Sequence, residues 1–243
     1  MQLLDIIYQD QHLVAINKPT GLLVHKSFID PHETRFALQM LRDQIGQYVF
    51  PVHRLDKPTS GVLLFALSSS VARLLSEQFA NQQVQKNYLA IVRGYCPEGG
   101  TIDHALKEKL DKISDKLAKK DKPAQPAISH YKRLATVEIP VTVDRYPQSR
   151  YSLVSVRPET GRKHQIRRHL KHIGHPIIGD AKHGKGVHNR FFQQHYQCHR
   201  LMLACTSMDL QHPIDNTALS LIAPLDETFN QQLKAFGWDQ HTV

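Results

Sequence analysis

A carboxylate two residues after an arginine, set in front of a turn, is the first place where this sequence offers chemistry. The stretch His53-Arg54-Leu55-Asp56-Lys57-Pro58-Thr59-Ser60-Gly61 runs directly into the apolar residues 62–67. Taken alone, Asp56 reads more readily as half of an ion pair with Arg54 than as a catalyst. At the mouth of a buried strand, however, a carboxylate can also act as a base or a nucleophile.

The second such place is ETGRKHQIRRHLKHIGHPIIGD, residues 159–180. Thr160-Gly161 predicts a turn or cap, and the helix after it should run to about Ile173, before Gly174 and Pro176. At 100° per residue, Ile166, Leu170 and Ile173 form a stripe toward a core. The opposite arc should carry His164, Arg167, Arg168, Lys171 and His172. Five of the ten residues 162–171 are Lys or Arg and none is acidic. A solvated face explains the amphipathicity, but like charges one turn apart repel. A bound polyanion, or an acid brought from elsewhere in the fold, would relieve that repulsion. His169, His172 and His175 are spaced three apart, but their neighbours are cationic and no nearby Asp or Glu supplies a further ligand, so no metal site is expected.

The surrounding elements follow from patterning. Residues 3–25 alternate the apolar runs IIY, HLVAIN and LLVH with turn signals, which predicts short strands joined by tight turns. A helix is expected over about 34–45, and GVLLFAL (61–67) reads as a fully buried strand. Residues 68–70 offer cap oxygens to a helix with Val71, Leu74, Leu75 and Phe79 on one face. Strands are expected at KNYLAIVRG, ISHYKRLATVEI and YSLVSVRP. Residues 107–122, with seven lysines and four acids, read as a solvated insertion that touches RNA or only solvent. No repeat or interdomain linker interrupts residues 1–243, which predicts one mixed α+β domain.

Composition narrows the partners. With 31 Lys and Arg against 22 Asp and Glu, the formal charge is +9, which favours nucleic acid first. No run of about 18 apolar residues exists, so no membrane span is expected. Cys96, Cys198 and Cys205 are odd in number and form no CxxC pair, and the N-terminus lacks the pattern of a signal peptide. The expectation is a cytoplasmic protein without disulfides and without an obligate protein partner.

Together these residues resemble the RluA-type pseudouridine synthases. HRLDKPTSG matches their HRLDxxTSG signature, TGRKHQIRRH matches TGRxHQ[I/L]RxH, and GHPIIGD continues it. The opening YQDQHLVAINKPTG, with Lys18-Pro19, looks like their first motif, and Lys86-Asn87-Tyr88 fits the K-x-Y motif between. One departure is Ala204, where the family often carries a histidine in R-L-x-L-H-A.

The resemblance implies isomerisation of uridine in RNA to pseudouridine. It also implies an α+β fold with a mixed, largely antiparallel sheet, flanked by helices and loops around a central cleft, and no preceding S4-like domain. Asp56 would be the essential carboxylate, paired with Arg167. Tyr88 would stack on the uracil and assist proton removal, with Ile166 on the other face of the base. Arg54 would fill the gap left by the extruded nucleotide, while Arg168 and Lys171 hold RNA. Uracil leaves the ribose through N1 and rejoins through C5, so the reaction is redox-neutral and calls for no metal or other cofactor. Attack at C1′, attack at C6 and elimination to a glycal all remain open, the last being preferred. The insertion and the closing LDETFNQQLKAFGW resemble a branch that modifies uridine 65 in the T-stem of tRNA. Ribosomal RNA is the near alternative. A non-catalytic RNA-binding protein and an N-glycosidic hydrolase are the alternatives from other classes.

Overall fold

A computed structural model describes residues 3–25, 33–107 and 123–241. In chain order its elements are β1 (Asp5–Gln9), β2 (Leu13–Lys18), α1 (Ala37–Ile45), β3 (Phe50–Pro51), β4 (Ser60–Ala66) and α2 (Ser69–Ala80). Then come β5 (Gln85–Arg93), β6 (Gly99–Asp103), β7 (Ile128–Ile139), β8 (Ser149–Pro158) and α3 (Gln165–His172). The chain continues through α4 (Gly186–Tyr196), β9 (Leu203–Gln211), β10 (Ala218–Ile222) and α5 (Glu227–Ala235). All but Lys107 of the lysine-rich segment 107–122 lies outside the described residues.

The strands form one ten-stranded sheet in the order β1-β2-β4-β9-β5-β8-β7-β6, with β3 on β4 and β10 on β9. Among the strands of the described residues only β4 and β9 run parallel, through Ser60↔Ala204 and Gly61↔Cys205. The architecture is therefore α+β with a mixed, largely antiparallel sheet. β4 is buried at every position, as an unbroken apolar run should be when both faces are covered. Its register with β2 pairs Lys18 with Gly61, which sets the end of β2 beside the Asp56 loop.

Helix starts follow the capping rules where capping residues exist. Ser68 Oγ accepts from the Val71 N–H at 3.3 Å, and Val71 and Leu75 turn into the core. Asp226 caps α5 in the same way, through the Phe229 N–H. α1 has Phe36 at its cap position, which offers no oxygen, so the backbone carbonyls of Leu23 and Val24 accept from Ala37 and Leu38. That is why LLVH, expected as a strand, makes only a single bridge, Leu23 to Phe36. Its carbonyls are used by the helix rather than by a ladder.

α3 also departs from expectation at its start. Thr160 does pin the turn, but the helix begins five residues later, after His164, which holds left-handed φ of 56° without a side-chain cap. The Gln165 side chain instead folds back. It accepts from Thr160 Oγ1 at 2.7 Å and from the Arg162 N–H at 3.0 Å, and donates to the Ile128 carbonyl at 2.9 Å. Gly174, with φ of 86°, ends the helix as anticipated.

Among the described residues, no helix is long and apolar enough to cross a membrane. Cys96, Cys198 and Cys205 are free and buried.

Candidate active site

Asp56 sits in the loop that enters β4, and that loop is clamped from the end of β2. The Lys18 side chain is wholly buried and donates to the carbonyls of Pro19, Leu22 and Lys57 at 2.8, 2.9 and 3.2 Å. Thr20 Oγ1 donates to the Pro58 carbonyl at 2.8 Å, and the Gly21 N–H to the Lys57 carbonyl at 2.9 Å. Burial pushes the Lys18 pKa down to about 7, with Arg200 adding to the fall and Asp56 opposing it. Within the loop the Thr59 N–H closes a turn on the Asp56 carbonyl. Gly61 then crosses β9 so closely that a Cβ there would lie 2.0 Å from the Cys205 carbonyl oxygen, at φ of 107°. His53, beside the loop, accepts from the Leu64 N–H at 3.0 Å and stacks on Phe79, and burial holds it neutral with a pKa of about 3.

The acid and the basic helix meet. Arg167 Nη1 donates to Asp56 Oδ2 at 2.9 Å, across 111 residues of chain. Its Nε and Nη2 donate to the two oxygens of Asp180 at 2.7 and 2.8 Å. Asp56 has a quarter of its side chain exposed, whereas Arg167 and Asp180 are almost fully buried. Burial works against the Arg167 charge, but Asp180 and then Asp56 outweigh it and raise its pKa above the ordinary value. Burial likewise works to raise Asp180, yet Arg167 and the backbone N–H groups of His183 and Lys182 hold it below the carboxylate range. The preceding Gly179 lets the chain pass Arg200, whose carbonyl oxygen would stand 1.8 Å from an added Cβ.

This corrects the helical projection at one residue. Arg167 does not lie on a solvated arc; like His169 it is buried, because the loop of Asp56 covers one flank of α3 and β7 another. His169 is bonded to Ser129 Oγ and the His104 carbonyl, each at 3.0 Å. Lys171 and His172 are exposed and Arg168 is half-buried, so the open basic face is narrower than the sequence implied. The acid that the basic run called for is Asp56, and Asp180, returning to α3 through the turn after it, is a second.

His169, His172 and His175 do not converge. His172 stacks on His104 at 3.8 Å, and His175 Nδ1 bonds the Arg93 carbonyl at 2.9 Å. Among the described residues no group of three His, Cys, Asp or Glu is placed to hold a metal ion.

The remaining sequence candidates fall around Asp56 to different degrees. Tyr88 is buried, and burial, then Cys205 and the Asp56 charge, raise its pKa well above 10, so the phenol stays protonated. Ile166, 7% exposed, precedes Arg167 on α3. Arg54 is exposed, two residues from the acid. His164, absent from the sequence candidates, has Nε2 4.0 Å from Asp56 Oδ1 and Nδ1 2.9 Å from His183 Nε2. Burial chiefly, with Arg167 and His183, pushes it down to about 4 against the pull of Asp56. Its positive φ is strain at the site, which a sequence does not display. Ala204, where the resemblance leads one to expect histidine, lies buried in β9 opposite Ser60 and Leu89.

The site thus sets a part-exposed carboxylate, held by a buried arginine, near a protonated phenol. The model for RNA pseudouridylate synthase matches residues 12–172, which include both Asp56 and Arg167. tRNA pseudouridine synthase C of Yersinia pestis is 58% identical over 236 residues, 97% of this chain and 92% of that protein. The protein of the same name from Vibrio cholerae serotype O1 is 52% identical over 98% of both chains. Among solved structures, human RNA Pseudouridylate Synthase Domain Containing 4 superposes with a TM-score of 0.70 at 26% identity, covering 96% of this chain and 93% of that one. On these grounds the chain belongs to the RluA-type RNA pseudouridylate synthase family and is an isomerase.

Proposed function

We propose that this protein converts a uridine of tRNA to pseudouridine, at position 65 in the T-stem, with Asp56 as the reacting carboxylate. The observation that carries the reading is the Asp180–Arg167–Asp56 chain, which holds a part-exposed carboxylate in a fixed direction from a buried anchor. The curated relatives with this name support tRNA as the substrate, since the likeness extends over nearly the whole of both chains.

The chemistry follows from the arrangement. A uridine within a stem is unreachable while stacked, so it must swing out, at a cost of a few kcal/mol. Arg54, exposed at the rim, takes the vacated place in the stack. Arg168 and Lys171 meet phosphates and offset the cost of extrusion. The extruded base lies between Tyr88 and Ile166. In the preferred glycal route, Asp56 removes the proton from the 2′ carbon as the C1′–N1 bond breaks. The detached uracil turns over, C5 bonds to C1′, and the 2′ carbon is reprotonated. The proton on C5 is then lost while N1 gains one, so the product is an isomer. Tyr88 enters this step as a neutral phenol and can accept a proton only while passing on its own. No cofactor takes part.

The test is to map pseudouridine in total tRNA and ribosomal RNA from cells with and without the protein. Loss confined to tRNA position 65 is the expected result. Loss at a ribosomal position would replace the tRNA reading, and no change in any RNA would overturn the function.

A further inference from the structure

β5 carries Tyr88 near its start and Arg93 at its end, five residues and so about 17 Å apart along the strand. Beside Arg93 a cavity of about 420 Å³ opens, at the end of α3 opposite Arg167. Its walls include Arg93, Tyr95, Asp144, Tyr146, Arg150 and His188, none of which touches Asp56.

Arg93 is the charge of interest. It is half-buried, and its Nε donates to His188 Nε2 at 3.2 Å. His188 is itself held through Nδ1 by Tyr151 Oη at 2.9 Å. Burial first, then Arg93 and Lys185, push its pKa down to about 4, so it accepts the bond as a neutral ring. It orients the guanidinium without cancelling its charge. The nearby acids are already used. Asp144 pairs with Lys185, and Glu138 with Arg150 at 2.6 Å. Among the described residues Arg93 has no carboxylate within ion-pair distance, and its terminal nitrogens have no protein acceptor.

The same cavity gathers exposed aromatic surface. Tyr146 is 60% exposed and Tyr95 43% exposed, although large apolar side chains of this protein are mostly buried. Arg145 lies 6.0 Å from the Tyr146 ring and Arg150 lies 5.1 Å from that of Tyr95. An oriented guanidinium beside cation-backed rings is the chemistry that holds a phosphate and stacks a base.

We propose that this cavity is a second nucleotide subsite for the RNA substrate, binding one nucleotide remote from the target uridine. Arg93 takes its phosphate and Tyr146 its base. The proposal rests on the reading of the protein as an RNA-modifying enzyme. Position argues for RNA rather than a free nucleotide. α3 begins at Asp56 and its following turn, with Gly174 and His175, lines the cavity, and Arg168 and Lys171 lie between. A strand can follow that helix from one site to the other.

The experiment compares wild type, Tyr146→Ala and Arg93→Gln for binding to an unmodified full-length tRNA transcript and to a short stem-loop around the target uridine. Tyr146 is exposed, so its truncation leaves the fold standing, and circular dichroism checks Arg93→Gln. Either change should weaken binding of full-length tRNA about tenfold and leave binding of the stem-loop unchanged. Unchanged affinity for full-length tRNA would overturn the subsite. So would equal loss on both RNAs, which marks a general defect. Adenosine monophosphate binding that Tyr146→Ala abolishes without any effect on tRNA would make the cavity a free-nucleotide site and also overturn the proposal. A wild type that makes no pseudouridine in any RNA defeats the proposed function instead, while the binding comparison still reports on the cavity.

Discussion

Arg167 meets Asp180 with two parallel hydrogen bonds of 2.7 and 2.8 Å, and spends only its remaining nitrogen, Nη1, on Asp56. The buried carboxylate is the anchor and the part-exposed one is the working end. A guanidinium fixed in two dimensions by one acid presents its last N–H in a fixed direction to the other. Asp56 is thereby held by a cation that cannot swing away into solvent.

Asp56→Asn should therefore remove catalysis without removing the site. Turnover is expected to fall by roughly 10³-fold or more, with tRNA affinity near that of wild type. Mass-spectrometric quantitation of pseudouridine, with filter binding in parallel, checks both halves. Retained turnover would rule out the carboxylate mechanism.

Asp180→Asn should act through Arg167. Removing one partner of a buried pair leaves a charge uncompensated and costs about 3–5 kcal/mol of stability. In whatever fraction remains folded, kcat should drop more than KM rises, because the anchor of Asp56 is loosened rather than the RNA contacts. Urea unfolding and steady-state kinetics separate the two effects. A variant that loses stability but keeps its kcat would reduce Asp180 to a structural role.

Lys18→Met should disturb the same loop from the other side. Three carbonyls, including that of Lys57 next to the acid, lose their donor. A loss of roughly 3 kcal/mol is expected, together with reduced kcat. Thermal unfolding and turnover measure it, and an unaffected kcat would show that the loop holds its shape without the clamp.

Acid should destabilise the protein well before its carboxylates titrate. His53, His164 and His188 have pKa values pushed by burial to about 3, 4 and 4, below the ordinary 6.5. Unfolding restores the ordinary value, so between those limits the unfolded chain binds more protons than the folded one. Stability then falls as pH drops from about 6.5 to 4. A Tm series across that window should decline, with a shallower decline in His53→Gln. A flat profile would show that these rings are not buried neutral.

Arg168→Ala and Lys171→Ala should weaken RNA binding and reduce the slope of log K against log salt by about one each. Asp56→Asn should leave that slope unchanged. Equal slopes in all the proteins would place the phosphate contacts elsewhere.

Much of this site was legible before any fold was known. Strand β4 showed in its unbroken apolar run, the α2 start in Ser68, and the end of α3 in Gly174. Asp56 and its pairing with Arg167 followed from motif resemblance, which spacing alone does not supply. The start of α3 was misjudged because Gln165 satisfies the turn from within the helix. LLVH looked like a strand because its composition cannot reveal that α1 lacks a capping side chain and borrows its carbonyls.

Local pattern, by itself, determined the element types, the basic surplus, the acid at the mouth of β4 and the family motifs, since each depends on residues close in the chain. What only the tertiary structure decided is how charge is balanced and where it is exposed. Arg167 reads as one more cation on a basic face until the Asp56 loop and Asp180 close over it. Lys18 reads as part of a turn until its side chain is buried against three carbonyls. Arg93 reads as the end of a strand until the approach of His188 and two tyrosines makes a cavity of it. Burial and partnership arise from packing between distant segments, and they fix which charges are free to meet a substrate.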